Sequence, residues 1–129
     1  MLTMILQNLL LIEDNLGDVM LTQEALEDEK LIVQIEVLDN GEAAWRKIKN
    51  LKKKEYDCIL LDINLPRMNG LEVLDKIKES KLKIDTPIFI LSSSSNPSDV
   101  EKALEKGASA YFEKPIDVKR LLSILDKLN

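Results

Sequence analysis

Cys58-Ile59-Leu60-Leu61-Asp62 is an unbroken apolar run closed by a carboxylate. The same form recurs at Leu9-Leu10-Leu11-Ile12-Glu13-Asp14 and at Ile88-Phe89-Ile90-Leu91-Ser92. Strands of a parallel sheet, covered by helices on both faces, have this continuous apolar character. Two weaker runs complete the set. Ile32–Leu38 alternates with Gln34 and Glu36, as an edge strand with one wet face does, and Ala110–Phe112 is short and apolar. Amphipathic stretches lie between the runs. The first, about Asp18 to Asp28, has a blurred stripe through Met20, Leu21, Ala25 and Leu26. Asn40-Gly41 opens the next, which buries Ala44, Ile48 and Leu51. Asn69, with Glu72 behind it, has the form of a capping box before Val73, Leu74 and Ile77. Asn96-Pro97 starts a helix with Val100, Ala103 and Leu104 at core spacing, and Gly107 stops it. Asp117 caps the last helix, whose stripe is Val118, Leu121, Leu122, Leu125 and Leu128. Five βα units in succession predict an α/β fold, an open parallel sheet with helices on both faces.

Composition narrows the chemistry. The 129 residues suit one domain and contain no histidine, which excludes Ser-His-Asp and Cys-His catalysis, histidine metal sites and phosphohistidine. A lone cysteine, Cys58, cannot form an intramolecular disulfide. The formal net charge of −5 argues against nucleic-acid binding, which calls for a basic face. No apolar run is longer than Leu9 to Ile12, far short of a membrane span, and Met1 to Asn8 carries no basic residue of a signal peptide. The expectation is a cytoplasmic protein without nucleic-acid or membrane partners. The basic stretch Arg46 to Lys54 and the acidic stretch Glu24 to Glu29 read as solvated helix faces and loops.

Ligands of open α/β sheets bind at the carboxyl ends of the strands. Glu13-Asp14, Asp62, Ser92 and Glu113-Lys114-Pro115 end four of the runs, so carboxylates, a hydroxyl and a lysine meet at one sheet edge. Any one of them could be the polar residue that resumes after a strand; the combination is harder to dismiss. Clustered carboxylates raise one another's pKa unless a cation joins them, and hard oxygen ligands suit Mg²⁺. A carboxylate can also attack phosphorus to give an aspartyl phosphate. A metal ion, an ammonium and a hydroxyl would then stabilise the phosphoryl oxygens.

Glu13-Asp14, the segment Leu61-Asp62-Ile63-Asn64-Leu65-Pro66-Arg67-Met68-Asn69-Gly70, Ser92 and Lys114-Pro115 together resemble the receiver domain of bacterial two-component response regulators. The resemblance covers essentially the whole chain. It implies the flavodoxin-like (βα)5 three-layer sandwich, with five parallel strands in the order 2-1-3-4-5. It implies that Asp62 is the phosphoacceptor, and that Asp14, Asp62 and the Asn64 carbonyl ligate Mg²⁺ with Glu13 helping nearby. Ser92 falls at the switch Ser/Thr position, Tyr111 at the switch aromatic position, and Lys114 at the phosphate-pairing lysine, with a cis peptide before Pro115. Leu10–Asp18 is similar to stand-alone receivers of the cyanobacterial phytochrome response regulator type, with Leu16 where proline is frequent. Asp18 is expected to cap or solvate the first helix, and the first six residues to form a frayed tail.

The expected function is therefore that of a stand-alone response regulator rather than an enzyme. It would take a phosphoryl group from a sensor histidine kinase, phytochrome-like by the narrower resemblance, onto Asp62 in a Mg²⁺-dependent reaction. With residues 1–129 read as one receiver and no output domain, the signal would pass by contact with a downstream protein or a second copy. The face formed by the fourth helix, fifth strand and fifth helix would carry it. The alternative is a degenerate receiver that serves only as a docking module, but none of Asp14, Asp62, Ser92 and Lys114 is missing. A haloacid-dehalogenase-type phosphatase needs a second aspartate two residues after the nucleophile, where Asn64 stands. A flavodoxin-like FMN carrier lacks a Gly-rich phosphate loop and stacking aromatics here; Trp45 and Tyr56 are expected to pack or sit on a rim.

Overall fold

The computed structural model describes residues 5–128. Strands and helices alternate: β1 (Asn8–Ile12), α1 (Leu16–Asp28), β2 (Gln34–Leu38), α2 (Gly41–Lys49), β3 (Cys58–Leu61), α3 (Gly70–Ser80), β4 (Ile88–Ser92), α4 (Pro97–Glu105), β5 (Ala110–Glu113) and α5 (Val118–Leu128). All pairings are parallel, in the order β2-β1-β3-β4-β5. The register sets Leu11 beside Leu60 and Leu61 beside Ile90, so β1 and β3 end level with each other.

Side chains on successive strand residues point to opposite faces, and that alternation divides the apolar runs between two cores. Leu9, Leu11, Leu60, Phe89, Leu91 and Phe112 pack with Val19, Leu26, Leu121 and Leu125 of α1 and α5. Leu10, Ile12, Ile59, Leu61, Ile90 and Tyr111 pack with Ala44, Ile48, Val73, Leu74 and Ala103 of α2 to α4. The helix starts follow the sequence signals. Asn40, Asn69 and Asn96 each cap a helix, Asn69 and Glu72 form the reciprocal box, and the Arg120 amide donates to Asp117. Gly107 follows α4 with φ of 107°, a conformation that glycine adopts without a Cβ penalty.

Several expectations need correction. β2 begins at Gln34 rather than Ile32, whose side chain is 91% exposed. The buried face of α1 is Val19, Thr22 and Leu26, while Met20 and Leu21 are exposed. Thr22 hides its hydroxyl by donating to the Asp18 carbonyl, which lets a polar residue occupy a core position. Leu51 lies beyond the end of α2, half-buried against the same core, and Leu104 and Leu128 are exposed. Leu6 is fully buried, so the frayed tail does not extend that far, and residues 1–4 lie outside the described set. Two aromatics behave as expected: Tyr56 is buried and donates its hydroxyl to Glu36, and Trp45 is half-buried.

Gly70 fixes how closely α3 approaches the end of β3. Its amide donates to the Ile63 carbonyl at 2.8 Å, and a Cβ there would lie 2.3 Å from the Asp62 carbonyl oxygen. Gly70→Ala should therefore push the helix off the Asp62 backbone. The expected loss is about 1–3 kcal/mol, the usual range for forced overpacking, read as a lower urea midpoint at unchanged slope.

Candidate functional site

Glu13 and Asp14 follow β1, Asp62 follows β3, and Lys114 follows β5, so the sheet brings them to one edge. Glu13 and Asp62 are buried, while Asp14 is exposed. Carboxylate oxygens of these three all lie within 4.8 Å of one another. Asn64, in the loop after β3, donates its amide to Asp62 Oδ1 at 3.2 Å. The Asp62 amide donates in turn to the Ile12 carbonyl at 3.0 Å, which ties the loop to β1.

Lys114 closes the group. Its Nζ lies 2.6 Å from Glu13 Oε1, 2.8 Å from Asp18 Oδ2 and 3.0 Å from Asp62 Oδ2. Burial alone would lower the lysine pKa, but hydrogen bonds to Asp18, Glu13 and Asp62 hold it above its ordinary value. Glu13 goes the other way for a carboxylate. Burial pushes its pKa up to about 7, Lys114 opposes the rise, and the neighbouring Asp62 adds to it. One ammonium thus faces Glu13, Asp18 and Asp62. Oxygen donors close together, two of them fixed by burial, are the donor set a hard divalent cation takes. The residues present fit such an ion.

Ser92 and Tyr111, expected as the switch pair, are joined through Ser94. Ser92 is fully buried at the end of β4, and its Oγ accepts from the Ser94 amide at 3.1 Å. The Tyr111 hydroxyl donates to the Ser94 carbonyl at 2.8 Å, with the ring buried. Ser94 Oγ also donates to Asp99 of α4 at 2.6 Å. The Lys114–Pro115 peptide is cis.

Two participants escaped the sequence reading. Asp18 does not cap α1. Asn15 does, accepting from the Asp18 amide at 3.0 Å, which leaves the Asp18 carboxylate to pair with Lys114. Ser94 was one serine among four between Ser92 and Ser95, and only the closeness of β4 and β5 gives it a role.

Residues 9–126 match the response regulator receiver domain. The chain belongs to that family. The response regulator ArlR of Staphylococcus epidermidis is 34% identical over 116 residues, covering 90% of this chain and 49% of ArlR. The chain therefore spans about half the length of that curated relative. Among solved structures, the bacteriophytochrome response regulator RtBRR is 35% identical with a TM-score of 0.76, covering 96% of this chain and 78% of that one. The Mn²⁺-bound form of response regulator Rcp1 is 31% identical with a TM-score of 0.70, covering 95% and 91%. Receiver domains are signalling modules that undergo self-phosphotransfer rather than turn over a substrate, and this one has the fold and the acidic cluster of that family. None of its described helices is long and apolar enough to cross a membrane.

Proposed function

We propose that this receiver accepts a phosphoryl group on Asp62 from a histidine kinase. The observation that carries the reading is the placement of a buried aspartate 3.0 Å from a lysine ammonium within a ring of carboxylates. An Asp62 carboxylate oxygen attacks phosphorus, the P–N bond to the donor imidazole breaks, and the imidazole keeps the electron pair. Lys114 supplies positive charge to the phosphoryl oxygens, and the Ser92 hydroxyl supplies a hydrogen bond. Asp14, Asp62 and the Asn64 carbonyl would hold Mg²⁺, with Glu13 helping nearby, and the ion when bound would neutralise charge on the transferring group. That the similar Rcp1 was solved with Mn²⁺ supports a divalent cation here, and the likeness to RtBRR supports a phytochrome-type kinase as donor.

Output would pass by protein contact. Ser92 reaches Tyr111 through Ser94, and Ser94 reaches α4 through Asp99. A shift of Ser92 toward a phosphoryl group would therefore be felt on the α4–β5–α5 face, where a downstream protein or a second copy would dock. A difference of a few kcal/mol between two arrangements of this chain of contacts is enough to repopulate them.

Incubation with a small acyl phosphate and Mg²⁺ tests the reading, and should add one phosphoryl group by intact mass. A chain that never gains mass under these conditions is a docking module instead. The metal assignment has its own test. Mg²⁺ should bind in the millimolar range, because two carboxylates and one carbonyl are a small ligand set, and as a ligand of the native state it should raise the melting temperature. Asp14→Ala should remove that rise. An unchanged rise in the variant would place the ion elsewhere.

A further inference from the structure

An ammonium has three N–H donors, and Lys114 has three carboxylates within hydrogen-bond or ion-pair distance: Glu13, Asp18 and Asp62. A phosphoryl group on Asp62 carries its charged oxygens beyond the carboxylate, so Nζ must shift to reach them and at least one present contact must lengthen. The acceptors differ in what they lose. The Glu13 side chain is 2% exposed, and a carboxylate stripped of its cation there has no water to replace it. The Asp18 side chain is 33% exposed, so water can take the place of the ammonium. Asp18 also belongs to a different element, the first turn of α1, whereas Glu13 and Asp62 sit at the ends of adjacent strands.

We propose that Asp18 is a positioning residue that holds Lys114 back in the unphosphorylated protein and yields it to the phosphoryl group. The Asp18–Lys114 pair ties α1 to the segment after β5, across a cleft of about 270 Å³ lined also by Leu21, Thr22, Pro115 and Ile116. When the pair opens, the first turn of α1 is untied from that segment. Phosphorylation is then sensed on the α1 side of the sheet as well as through Ser92 and Tyr111. The inference rests on Asp62 being the phosphoacceptor.

The test uses the full chain with Mg²⁺ and beryllofluoride, a mimic of the phosphoryl group, titrated by ¹⁹F NMR. Asp18→Asn keeps the shape and a hydrogen-bonding oxygen but removes the charge that competes for Lys114. It should bind beryllofluoride about two- to fivefold more tightly, the range that loss of one part-exposed ion pair gives. Asp18→Glu, which restores the charge, should behave as the natural chain does. Amide exchange in residues 16–22 should quicken when the natural chain takes up beryllofluoride, and should be quick in Asp18→Asn with or without it. Equal or weaker binding by Asp18→Asn, or α1 exchange that ignores beryllofluoride, overturns the proposal. If the natural chain binds no beryllofluoride, the phosphoacceptor reading falls and this inference with it. If it binds and Asp18→Asn matches it, only this inference falls.

Discussion

Asp62→Asn should gain no mass when the natural chain, treated alongside with Mg²⁺ and an acyl phosphate, gains one phosphoryl group. Asparagine keeps the shape of the side chain and an oxygen that can accept from the Asn64 amide, so the loop after β3 should hold its path. What disappears is the carboxylate nucleophile, and an amide oxygen does not replace it. The fold should survive, because Lys114 keeps Glu13 and Asp18 as partners at 2.6 and 2.8 Å. A circular dichroism melt should therefore show a cooperative transition for the variant. Equal labelling of both chains would move the phosphoryl group to another residue and remove the centre of the functional reading. Asn64, two residues on, has no proton to give a leaving group, so no turnover of the acyl phosphate beyond slow loss of the label is expected.

Much of the architecture was legible because burial on both faces leaves a strand no room for polar residues. The runs beginning at Leu9, Cys58 and Ile88 became β1, β3 and β4 with bounds shifted by one residue at most. The three asparagine caps were legible for a local reason, since a side-chain oxygen and a helix amide three or so residues away need no tertiary context. Errors cluster where tertiary context decides. Met20 and Leu21 were read as core because they are apolar, yet the helix turns Val19, Thr22 and Leu26 inward, and a satisfied hydroxyl serves there as well as a methyl. Leu104 and Leu128 continue their stripes but are exposed, Leu128 where α5 ends. The site residues at strand ends could be named from the sequence. The partnership of Asp18 and Lys114 spans 96 positions and could not, because it depends on how α1 lies beside the segment after β5.

Lys114→Met should destabilise the chain in metal-free buffer, and the size of the effect should depend on pH. The lysine is the sole cation paired with the buried Glu13 and Asp62 carboxylates among the described residues. Removing it leaves their charge without compensation, and at pH 8 the loss should be about 3 kcal/mol, the lower end for breaking a buried pair. The sign of the pH dependence follows from Glu13. Its folded pKa is raised from 4.5 to about 7 by burial, with Lys114 opposing the rise, so the variant carries the carboxyl higher still. Between the unfolded and folded values the native state holds a proton that the unfolded chain has given up. Stability therefore falls as pH rises through that window, and is fully present only below the unfolded value. The deficit of Lys114→Met against the natural chain should be small near pH 5, where the Glu13 carboxyl is protonated, and should widen toward pH 8. Urea midpoints at a series of pH values, with a chelator present, give the curve directly. Added Mg²⁺ should recover part of the loss at pH 8, since a divalent cation among the same oxygens supplies the charge that the lysine no longer does. A deficit that is the same at pH 5 and pH 8, and indifferent to Mg²⁺, would instead trace to the packing of the lysine's methylene stem.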